Sequence, residues 1–429
     1  MQSPASPQQM PFISPAASSP APLCRFCAAP LVHTLVDLGM SPLCQTIVEP
    51  RSLHLSEEFF PLHVRICDQC FLIQLEEYVS PARIFTEYAY FSSYIDALVE
   101  SARIYSEAMI SNLGLSAKSL VIEIASNDGY LLQNFVARGI PALGIEPAAN
   151  VAAAAVAKGI PTLVKFFGVA TAREVVAERG KADLLLGNNV LAHVPDLNDF
   201  VRAMAILLAD GGVITMEFPH LMRLMELNQF DTIYHEHFSY LNFTTVERVF
   251  AAHGLTLFDV EEIANHGGSL RIFARHTADA SKAVGARVSE LREREARAGL
   301  SRLDIYSLFA DKVRATKAQL LEFLIDAKRR GKRIVGYGAP GKSVTLLNYC
   351  GIRTDFVDYL VDRNPYKQGK YLPGVRIPIH APEMIRETKP DYLLILPWNI
   401  SDEVMKYTAY LRDWGGQWVV PIPAVKVFS

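Results

Sequence analysis

The chain has neither a strong excess of charge of one sign nor long apolar segments. Its 429 residues contain 42 Lys and Arg against 45 Asp and Glu, which gives a formal net charge of -3. A near-neutral chain gives no reason to expect the basic surface of a nucleic-acid-binding protein. The longest apolar runs, VAAAAVA and YLLILPW, are far shorter than the roughly 20 residues of a membrane-spanning helix. We therefore expect a soluble protein of two or three domains that binds neither nucleic acid nor membrane.

A secretory signal is also missing at the amino terminus. Residues 1–22 are rich in Pro, Ser and Ala, but they have neither a basic start nor a continuous apolar core. This composition predicts a disordered tail and a cytoplasmic protein. There the six cysteines are expected to be thiols or metal ligands rather than disulfides. Two of them, Cys44 and Cys350, have no cysteine close by and are expected to be buried small apolar side chains.

The other four cysteines form two matching pairs, Cys24-x2-Cys27 and Cys67-x2-Cys70, which are separated by 39 residues. Each pair places two thiolates at one turn, so together they supply the four soft ligands of a tetrahedral zinc site. The alternative is a thioredoxin-type redox pair, but the βαβ pattern of such a site does not surround these cysteines. The spacing predicts a domain over residues 23–81 that a structural zinc ion holds together.

Strands and helices alternate after residue 119. SLVIEI and ALGIEP are apolar strands with the helical pattern YLLQNFVARG between them, and KADLLLGNN and GGVITMEFP are further strands. This alternation predicts a parallel Rossmann-like sheet in an α/β domain over residues 82–275. Ligands of such sheets bind at the carboxyl ends of the strands.

Two features of this sheet favour S-adenosylmethionine over NAD as the cofactor. Glu146 ends the second strand, where it can accept hydrogen bonds from a ribose diol. The first turn has one glycine rather than the three that a pyrophosphate requires, and its acidic character suits a cationic sulfonium. The alternative is a plain βαβ unit in which the glutamate only solvates a strand end. The candidate cofactor-binding residues lie in the first turn and at the ends of the neighbouring strands: Glu123, Asn127, Asp128, Gly129, Glu146 and Asn188.

Ionisable side chains are dense in the segment Asp231–Tyr240, which follows the strand VITMEFP and is expected to overhang the cofactor cleft. The histidines stand two residues apart, so this is not the H-E-x-x-H motif of zinc proteases. In an extended segment His235 and His237 would share one face and Glu236 would lie on the other. A neutral histidine beside a carboxylate and a tyrosine suits proton abstraction, while the alternative is a polar loop without a catalytic role.

The last part of the chain, residues 276–429, predicts a second Rossmann-like domain. Its first turn, Gly336-x4-Gly341-Lys342-Ser343, matches the phosphate-loop pattern and has the required context of strand and then helix. Three interpretations are open: an ATPase loop, a helix amino terminus that binds the diphosphate of a nucleotide sugar, or purely structural glycines. Only about 90 residues follow, and no clear set of catalytic partners accompanies the loop, which disfavours hydrolysis of ATP.

Taken in order, these motifs resemble the S-adenosylmethionine-dependent C-methyltransferases of nucleotide-activated keto-deoxysugars. The resemblance covers nearly the whole chain after the tail. It rests on the cysteine pairs and on the segments EYAYFSSY, EIASNDG, GNNVLAHVPD, IYHEHFSYL, HGGSLRIFA and GAPGKSVTLLNY. Two departures are Ala125, where a glycine is common, and Gly341–Ser343, where small residues usually alternate.

The resemblance implies a substrate-facing set made of Tyr88, His193, Tyr234, Glu236 and His237, with His237 as the base. Lys342, which could hold a diphosphate together with the helix amino terminus, and Asn348 are further candidates for binding the substrate. The implied reaction transfers a methyl group to a ring carbon next to the ketone of a nucleoside-diphosphate keto-deoxysugar. An ATPase and a non-catalytic binding protein for sugar nucleotides are the alternatives. These motifs leave open which carbon is methylated, the stereochemistry of the product, and the base and sugar of the substrate. They also leave open the pathway and the oligomeric state, and a monomer is compatible with them.

Overall fold

The computed structural model describes residues 21–85, 91–94 and 96–429. Residues 1–20 of the expected tail and Tyr88 lie outside these described residues. The strands are β1 His33–Ser41, β2 Phe60–Ile66, β3 Ile73–Leu75, β4 Val121–Ile124, β5 Ala142–Ile145, β6 Thr162–Leu163, β7 Ala182–Asn188, β8 Leu208–Pro219, β9 Ser239–Tyr240, β10 Leu255–Ile263, β11 Ser269–His276, β12 Ile334–Tyr337, β13 Leu360–Val361, β14 Ile379–His380, β15 Tyr392–Ile395, β16 Gln417–Val420 and β17 Lys426–Phe428.

The α-helices of the described residues include several single-turn segments. They are α1 Pro81–Phe85, α2 Asp96–Leu113, α3 Gln133–Val136, α4 Ala149–Ala157, α5 Val169–Arg179, α6 Leu197–Leu207, α7 Leu221–Glu226, α8 Phe243–Ala251, α9 Ala286–Arg297, α10 Asp304–Arg329, α11 Gly341–Cys350, α12 Met384–Thr388 and α13 Ser401–Tyr407. None of these helices is both long enough and apolar enough to cross a membrane.

The described strands form three sheets, and the chain is an α/β protein as the sequence predicts. The first sheet is antiparallel, in the order β1-β2-β3-β9. Its last strand, β9, comes from the part of the chain that also builds the second sheet. The segment with the two histidines is therefore joined by backbone pairing to the cysteine-containing part of the chain, because Ile73 of β3 pairs with Tyr240.

The second sheet has seven strands in the order β10-β11-β8-β7-β4-β5-β6. Strands β4 to β8 run parallel, while β10 and β11 are antiparallel to their neighbours. All four residues of β4 are buried, as are three of the four in β5, because helices cover both faces of a parallel sheet. The strand order reverses at β4, which is where ligands of doubly wound sheets bind.

The third sheet has the order β14-β13-β12-β15-β16-β17 and is parallel except for β17. The strand of this sheet that comes first in the chain, β12, leads directly into the turn before α11. The long helix α10 lies between this sheet and the first one, and its residues Tyr306, Phe309 and Val313 belong to the same apolar core as β1, β2 and β12. One continuous core thus connects the amino-terminal and carboxy-terminal parts of the chain.

The helix expected over YLLQNFVARG is shorter in the structure. The segment begins at Gly129, whose φ is +75°. The next turns combine hydrogen bonds that span three residues, as from Asn134 N to Leu131 O, with others that span four, as from Gln133 N to Gly129 O. Only Gln133–Val136 is α-helical. The apolar side chains of this segment pack in the core as a helix would place them, so the amphipathic pattern is kept while the backbone is tighter.

Candidate active site

A cleft of about 1550 Å³ lies where the three sheets meet. Its walls come from the second sheet, from the loop after β1, from the segment before β9 and from the turn after β12. The lining includes most of the residues that the sequence singles out: Asn127, Glu146, Asn188, His193, Tyr234, Glu236, His237 and Lys342. Such a cleft at the topological switch point of a sheet is the expected place for a cofactor and a substrate together.

The first turn of the second sheet holds a strained backbone. Ala125 and Asn127 have φ values of +56° and +50°, in the left-handed region that non-glycine residues rarely adopt. The side-chain oxygen of Asn127 accepts a hydrogen bond from Ser92 N over 2.9 Å, which fixes the turn to the segment before α2. Gly129 is required here for space, since a Cβ at this position would lie 2.2 Å from Cδ1 of Ile160. The turn is therefore held open toward the cleft.

Glu146 follows β5 and lines the cleft. Its Oε2 accepts a hydrogen bond from Asn127 N over 3.0 Å, and its Oε1 accepts one from Ala148 N over 2.9 Å. Burial raises the pKa of this carboxyl, while the two backbone N–H groups favour the ionised form. Each carboxylate oxygen can accept a further bond, so the group fits the ribose diol of S-adenosylmethionine.

Glu123 and Asp128 lie beneath the cleft and are not among its lining residues. Burial raises the pKa of Glu123 well above its ordinary value, with Glu146 and Asp128 acting in the same direction. Its Oε2 has no hydrogen-bond partner among the described residues. Asp128 pairs with Lys158 over 3.0 Å. These two carboxyl groups support the turn from behind, so contact with a cofactor would be through Glu146 and Asn127.

Glu217, a charged residue of the cleft, was missed by the sequence analysis. Glu217 lies at the carboxyl end of β8, directly across from Asn188 of β7. It accepts hydrogen bonds from Arg271 and from Asn265, each over 3.0 Å, and is almost fully buried. The signal was present in VITMEFP, because Glu217 ends a parallel strand as Glu146 does.

The segment Tyr234–His237 forms a turn in the cleft, with a hydrogen bond from His237 N to Tyr234 O over 2.9 Å. Nδ1 of His237 lies 2.9 Å from the carbonyl oxygen of Thr232. A carbonyl only accepts, so Nδ1 carries the proton, and the lone pair of the neutral ring is on Nε2. The ring centroid of His237 is 4.1 Å from that of Tyr234 and 4.8 Å from that of His193. Three of the predicted catalytic side chains are thus brought together.

The expectation that His235 and His237 share one face is wrong, because the turn at these residues breaks the alternation of an extended strand. His235 points away from the cleft and packs edge-on against Phe60, and its Nε2 donates a hydrogen bond to the carbonyl of Pro61 over 3.1 Å. Burial lowers the pKa of this imidazole, which keeps it neutral. His235 therefore joins the segment to β2.

Glu236 is buried but lines the cleft. Its Oε1 accepts a hydrogen bond from the thiol of Cys44, with Sγ at 3.2 Å. Cys44 lies in the loop after β1, as buried as the sequence predicts, so the first sheet contributes a side chain to this part of the site. No feature of the sequence indicated this pair.

The turn after β12 does not have the form of an ATPase phosphate loop. Ala339 N donates to Asp362 Oδ2 over 2.8 Å, and Pro340 has no N–H, so two central positions cannot bind phosphate. The hydroxyl of Ser343 is buried and donates to Pro340 O over 2.6 Å, which removes the usual metal ligand. These contacts disfavour the ATPase alternative.

Lys342 is the side chain of this turn that reaches the cleft. Its Nζ lies 4.2 Å from the ring centroid of Trp398 and donates to Oδ1 of Asn399 over 2.5 Å. Burial lowers the pKa of Lys342 to about 8, while Asp231 opposes that change. The lysine is thus mainly cationic at neutral pH and available to an anionic ligand.

Asn348 is not among the residues that line the cleft. Its amide donates hydrogen bonds to the carbonyls of Val344 and Pro373, over 2.8 and 3.1 Å. Its side-chain oxygen would be 2.1 Å from a Cβ at Gly374, so it packs against a turn where only glycine fits. This packing gives Asn348 a structural position, and we do not retain it in the substrate site.

Each of the two cysteine pairs forms a short hook in the chain. The four Sγ atoms all lie within 4.8 Å of one another, and they belong to Cys24, Cys27, Cys67 and Cys70. Tetrahedral zinc with Zn–S bonds of about 2.3 Å needs sulfur atoms about 3.8 Å apart, which fits this arrangement. The hooks share one backbone form, in which the residue after the second cysteine has a positive φ: +60° at Ala28 and +59° at Phe71. Gln74 Nε2 donates to Cys24 Sγ over 3.2 Å, a contact that suits a thiolate.

Three parts of the chain match known protein families. Residues 24–85 match a family described as "Putative zinc binding domain", and residues 102–260 match a family described as "Methyltransferase domain". Residues 264–423 match the family described as "C-methyltransferase C-terminal domain".

Solved structures of S-adenosylmethionine-dependent methyltransferases resemble part of the chain. An enzyme from Clostridium acetobutylicum ATCC 824 matches 42% of this chain and 92% of its own, with 11% identity and a TM-score of 0.34. The magnesium protoporphyrin IX methyltransferase ChlM from Synechocystis PCC 6803, solved with bound S-adenosylmethionine, matches 42% of this chain and 77% of its own, with 14% identity and a TM-score of 0.30.

A relative of nearly the same length is known among characterised proteins. The chain is 34% identical to the C-methyltransferase NovU of Streptomyces niveus over 406 residues, which cover 95% of this chain and 96% of NovU. The four cysteines and the cleft fit structural zinc and S-adenosylmethionine, respectively. The chain therefore belongs to the S-adenosylmethionine-dependent C-methyltransferases that carry an amino-terminal zinc-binding domain.

Proposed function

We propose that this C-methyltransferase acts on a nucleoside-diphosphate keto-deoxysugar and methylates a ring carbon next to the ketone. The proposal rests on the motifs that the chain shares with such enzymes and on a cleft with two chemically different parts. One part, around Glu146, suits a ribose diol. The other part, around Lys342, suits an anionic diphosphate. The histidines and Tyr234 line the same cleft.

The base in this proposal is Nε2 of His237. A ketone acidifies the neighbouring C–H bond, and an imidazole whose Nδ1–H is held by the Thr232 carbonyl has its lone pair on Nε2. The proton moves from the sugar carbon to Nε2, and the electron pair of the broken C–H bond delocalises onto the ketone oxygen. His237 then carries a positive charge, which the Thr232 carbonyl partly stabilises through its hydrogen bond.

The enolate oxygen needs a hydrogen-bond donor at the moment when its charge develops. Tyr234 and His193 are the candidates, because among the described residues theirs are the polar rings of the cleft that lie closest to the ring of His237. Either side chain can donate a hydrogen bond to an anionic oxygen. Tyr88, which the family resemblance places on the substrate side, lies outside the described residues and stays a prediction.

The cofactor would be held by Glu146, through the ribose diol, and by the turn at Asn127, with Asn188 at the neighbouring strand end. S-adenosylmethionine supplies an electrophilic methyl group to the enolate carbon. The protein's own contribution is to hold the sugar and to remove the proton where both ligands are enclosed. Positioning of two reactants in this way can lower a barrier by roughly 7–11 kcal/mol.

Lys342 is proposed to bind the diphosphate of the sugar nucleotide. Its ammonium group is held over Trp398 and beside Asn399, so little side-chain freedom is lost when an anion binds. Structural glycines alone would not require a half-buried lysine in the cleft. The carboxy-terminal part of the chain, from residue 276, would in this proposal supply the nucleotide-sugar site.

The hydrogen bond from Nδ1 of His237 to the Thr232 carbonyl is the observation that carries the proposed mechanism. The test is incubation of the purified protein with isotope-labelled S-adenosylmethionine and a panel of keto-deoxysugar nucleotides. We expect mass spectrometry to find one labelled methyl group on the sugar ring, bound through carbon. A label on oxygen or nitrogen, or no transfer to any sugar nucleotide while other ketones are methylated, would overturn the proposal.

A further inference from the structure

The loop after β1 inserts one side chain between the zinc-binding part of the chain and the catalytic segment. Cys44 is 4% exposed, and its Sγ lies 3.2 Å from Oε1 of Glu236, which is 3% exposed. The thiol is the donor of this hydrogen bond, and the carboxylate oxygen is the acceptor. Cys44 thus joins two parts of the chain that are remote in sequence.

The packing around this thiol is specific. A Cβ at Gly341, the first residue of α11, would lie 3.2 Å from Sγ of Cys44 and 3.5 Å from Cε1 of Tyr234. The absence of a side chain at residue 341 therefore makes room for the sulfur and for the tyrosine ring. The loop after β1, the segment before β9 and the start of α11 all contribute to the position of the Cys44 side chain.

The charges around Cys44 keep it in the thiol form. Burial raises the pKa of Cys44 well above its usual value, and the Glu236 carboxylate acts in the same direction. Lys367, from the segment after β13, has the opposite but smaller effect. Tyr240 of β9 also interacts with it electrostatically, and burial raises the pKa of that phenol above its usual range. Neither group turns Cys44 into a thiolate at neutral pH.

We infer that Cys44 is a positioning residue for methyl transfer, and that its thiol holds the Glu236 carboxylate in one orientation beside His237. The inference rests on the proposed function for the role of Glu236 in the reaction, but the hydrogen bond itself does not. With Oε1 held, rotation of the carboxylate is restricted, and Oε2 keeps a fixed place in the site. A fixed negative charge next to the base stabilises the imidazolium that forms on proton abstraction.

The hydrogen bond can be tested without any substrate. In the zinc-loaded protein four of the six cysteines are thiolates, so only Cys44 and Cys350 contribute S–H stretching bands to the infrared spectrum. Burial raises the pKa of Cys350 to about 12, so it is also a thiol. Cys350→Ala assigns the remaining band to Cys44. We expect this band below that of ethanethiol in an apolar solvent, and we expect Glu236→Gln to shift it upward.

Activity then tests the positioning role. Cys44→Ala removes the donor and should lower kcat roughly tenfold, the scale of a lost hydrogen bond to a charged group, with little change in KM. Cys44→Ser keeps a donor of similar size and should restore kcat. Cys350→Ala and Cys350→Ser are the matched controls, because that cysteine is equally buried but does not contact the cleft.

Two results would overturn the inference. One is a Cys44 band at the frequency of the apolar thiol reference, which would show that no hydrogen bond exists whether or not any sugar is methylated. The other is equal kcat for the Ala and Ser variants of Cys44, which would reduce the residue to packing. Failure of every sugar nucleotide as a substrate would instead overturn the proposed function and leave the infrared result unchanged.

Discussion

Nδ1 of His237 lies 2.9 Å from the carbonyl oxygen of Thr232, and the residue before that threonine, Asp231, accepts a hydrogen bond from Nε1 of Trp398 over 2.7 Å. Trp398 in turn lies beneath the ammonium group of Lys342. The proposed base, His237, and the lysine proposed to bind the diphosphate, Lys342, are therefore connected through one short turn, Phe230–Thr232. A change at either end should be detectable at the other.

His237→Asn tests the proposed base. The amide keeps a polar group of similar reach but cannot accept a proton at neutral pH, so we expect kcat to fall by roughly 10²–10⁴-fold while affinity for S-adenosylmethionine is unchanged. Exchange of the sugar's α-hydrogen with deuterated solvent, followed by mass spectrometry, should be lost as well. His235→Asn is the matched control, since it alters a histidine outside the cleft. Exchange at an unaltered rate in the His237 variant would transfer the role to another residue, with His193 next.

Glu146→Ala tests the cofactor site. The variant loses the acceptor for the ribose diol and two bonds to the backbone, so binding of S-adenosylmethionine should weaken by roughly 1.5–3 kcal/mol, or about 10–150-fold in Kd. Isothermal calorimetry measures this directly. Asp326→Ala, at an exposed ion pair on α10, should leave Kd unchanged. An unaltered Kd in the Glu146 variant would contradict the assignment.

Lys342→Met tests the diphosphate site. Methionine keeps an apolar chain over Trp398 but has no charge, so we expect KM for the nucleotide sugar to rise by roughly 10–150-fold, the scale of a lost charge-assisted bond. The Kd of S-adenosylmethionine should not change. Because burial lowers the pKa of Lys342 to about 8, binding of the sugar nucleotide to the unaltered protein should weaken above that pH. Lys332→Met, which removes an ion pair with Asp391 away from the cleft, is the control.

Zinc removal should destabilise the protein. We expect elemental analysis to give close to one zinc per chain, and Cys67→Ser to lose the metal and to lower the melting temperature. The reason is that the metal would join the start of the chain to the turn between β2 and β3, two segments that are remote in sequence. If the metal-free protein melted at the same temperature as the zinc-loaded form, the metal would have no structural role.

Asp231 gives the stability of the protein a dependence on pH. Burial raises the pKa of Asp231 from 3.8 to about 7. Between these values the folded state keeps a proton that the unfolded chain loses, so the free energy of unfolding falls as pH rises, by at most about 1.4 kcal/mol per pH unit. Asp231→Asn keeps an acceptor for Trp398 and removes this loss. Urea denaturation should show a greater gain over the unaltered protein at pH 8 than at pH 5.

The control for this measurement is Asp311→Asn, which alters an exposed carboxylate paired with Arg314. Its stability relative to the unaltered protein should not change between the two pH values in the way that the Asp231 variant does. Equal gains at pH 5 and pH 8 for Asp231→Asn would show that the carboxyl ionises normally in the folded protein.

The sequence predicted those features that depend on local chemistry. The cysteine spacing predicted the zinc site, and the apolar runs predicted β4, β5, β7 and β8, because a strand buried on both faces has few alternatives. The position of Glu146 at the cleft was predicted for the same reason, since the end of a parallel strand has a known place in the sheet. Glu217 carried the same signal and was overlooked.

What the sequence could not supply depends on contacts between distant segments. The turn at Tyr234–His237 directs His235 toward β2, whereas an extended segment would have kept both histidines together. The pairing of Cys44 with Glu236 joins residues that no motif relates. Asn348 lies on the same helix as Lys342, but its side chain donates a hydrogen bond to Pro373 and packs against Gly374. Side-chain direction in loops is set by tertiary packing, which residue spacing does not determine.

The pairing of β9 with β3 makes the final form of the segment Tyr234–His237 depend on a part of the chain that is made much earlier. Ser239 and Tyr240 pair with Gln74 and Ile73, strands that are distant in the chain, and Leu75 N also donates to Phe238 O over 3.0 Å. Non-local strand pairs close late in folding because the entropy of a long loop must be lost first. We therefore expect the segment Tyr234–His237 to reach its final form only after β3 and strands β4 to β8, which precede it in the chain, have been made.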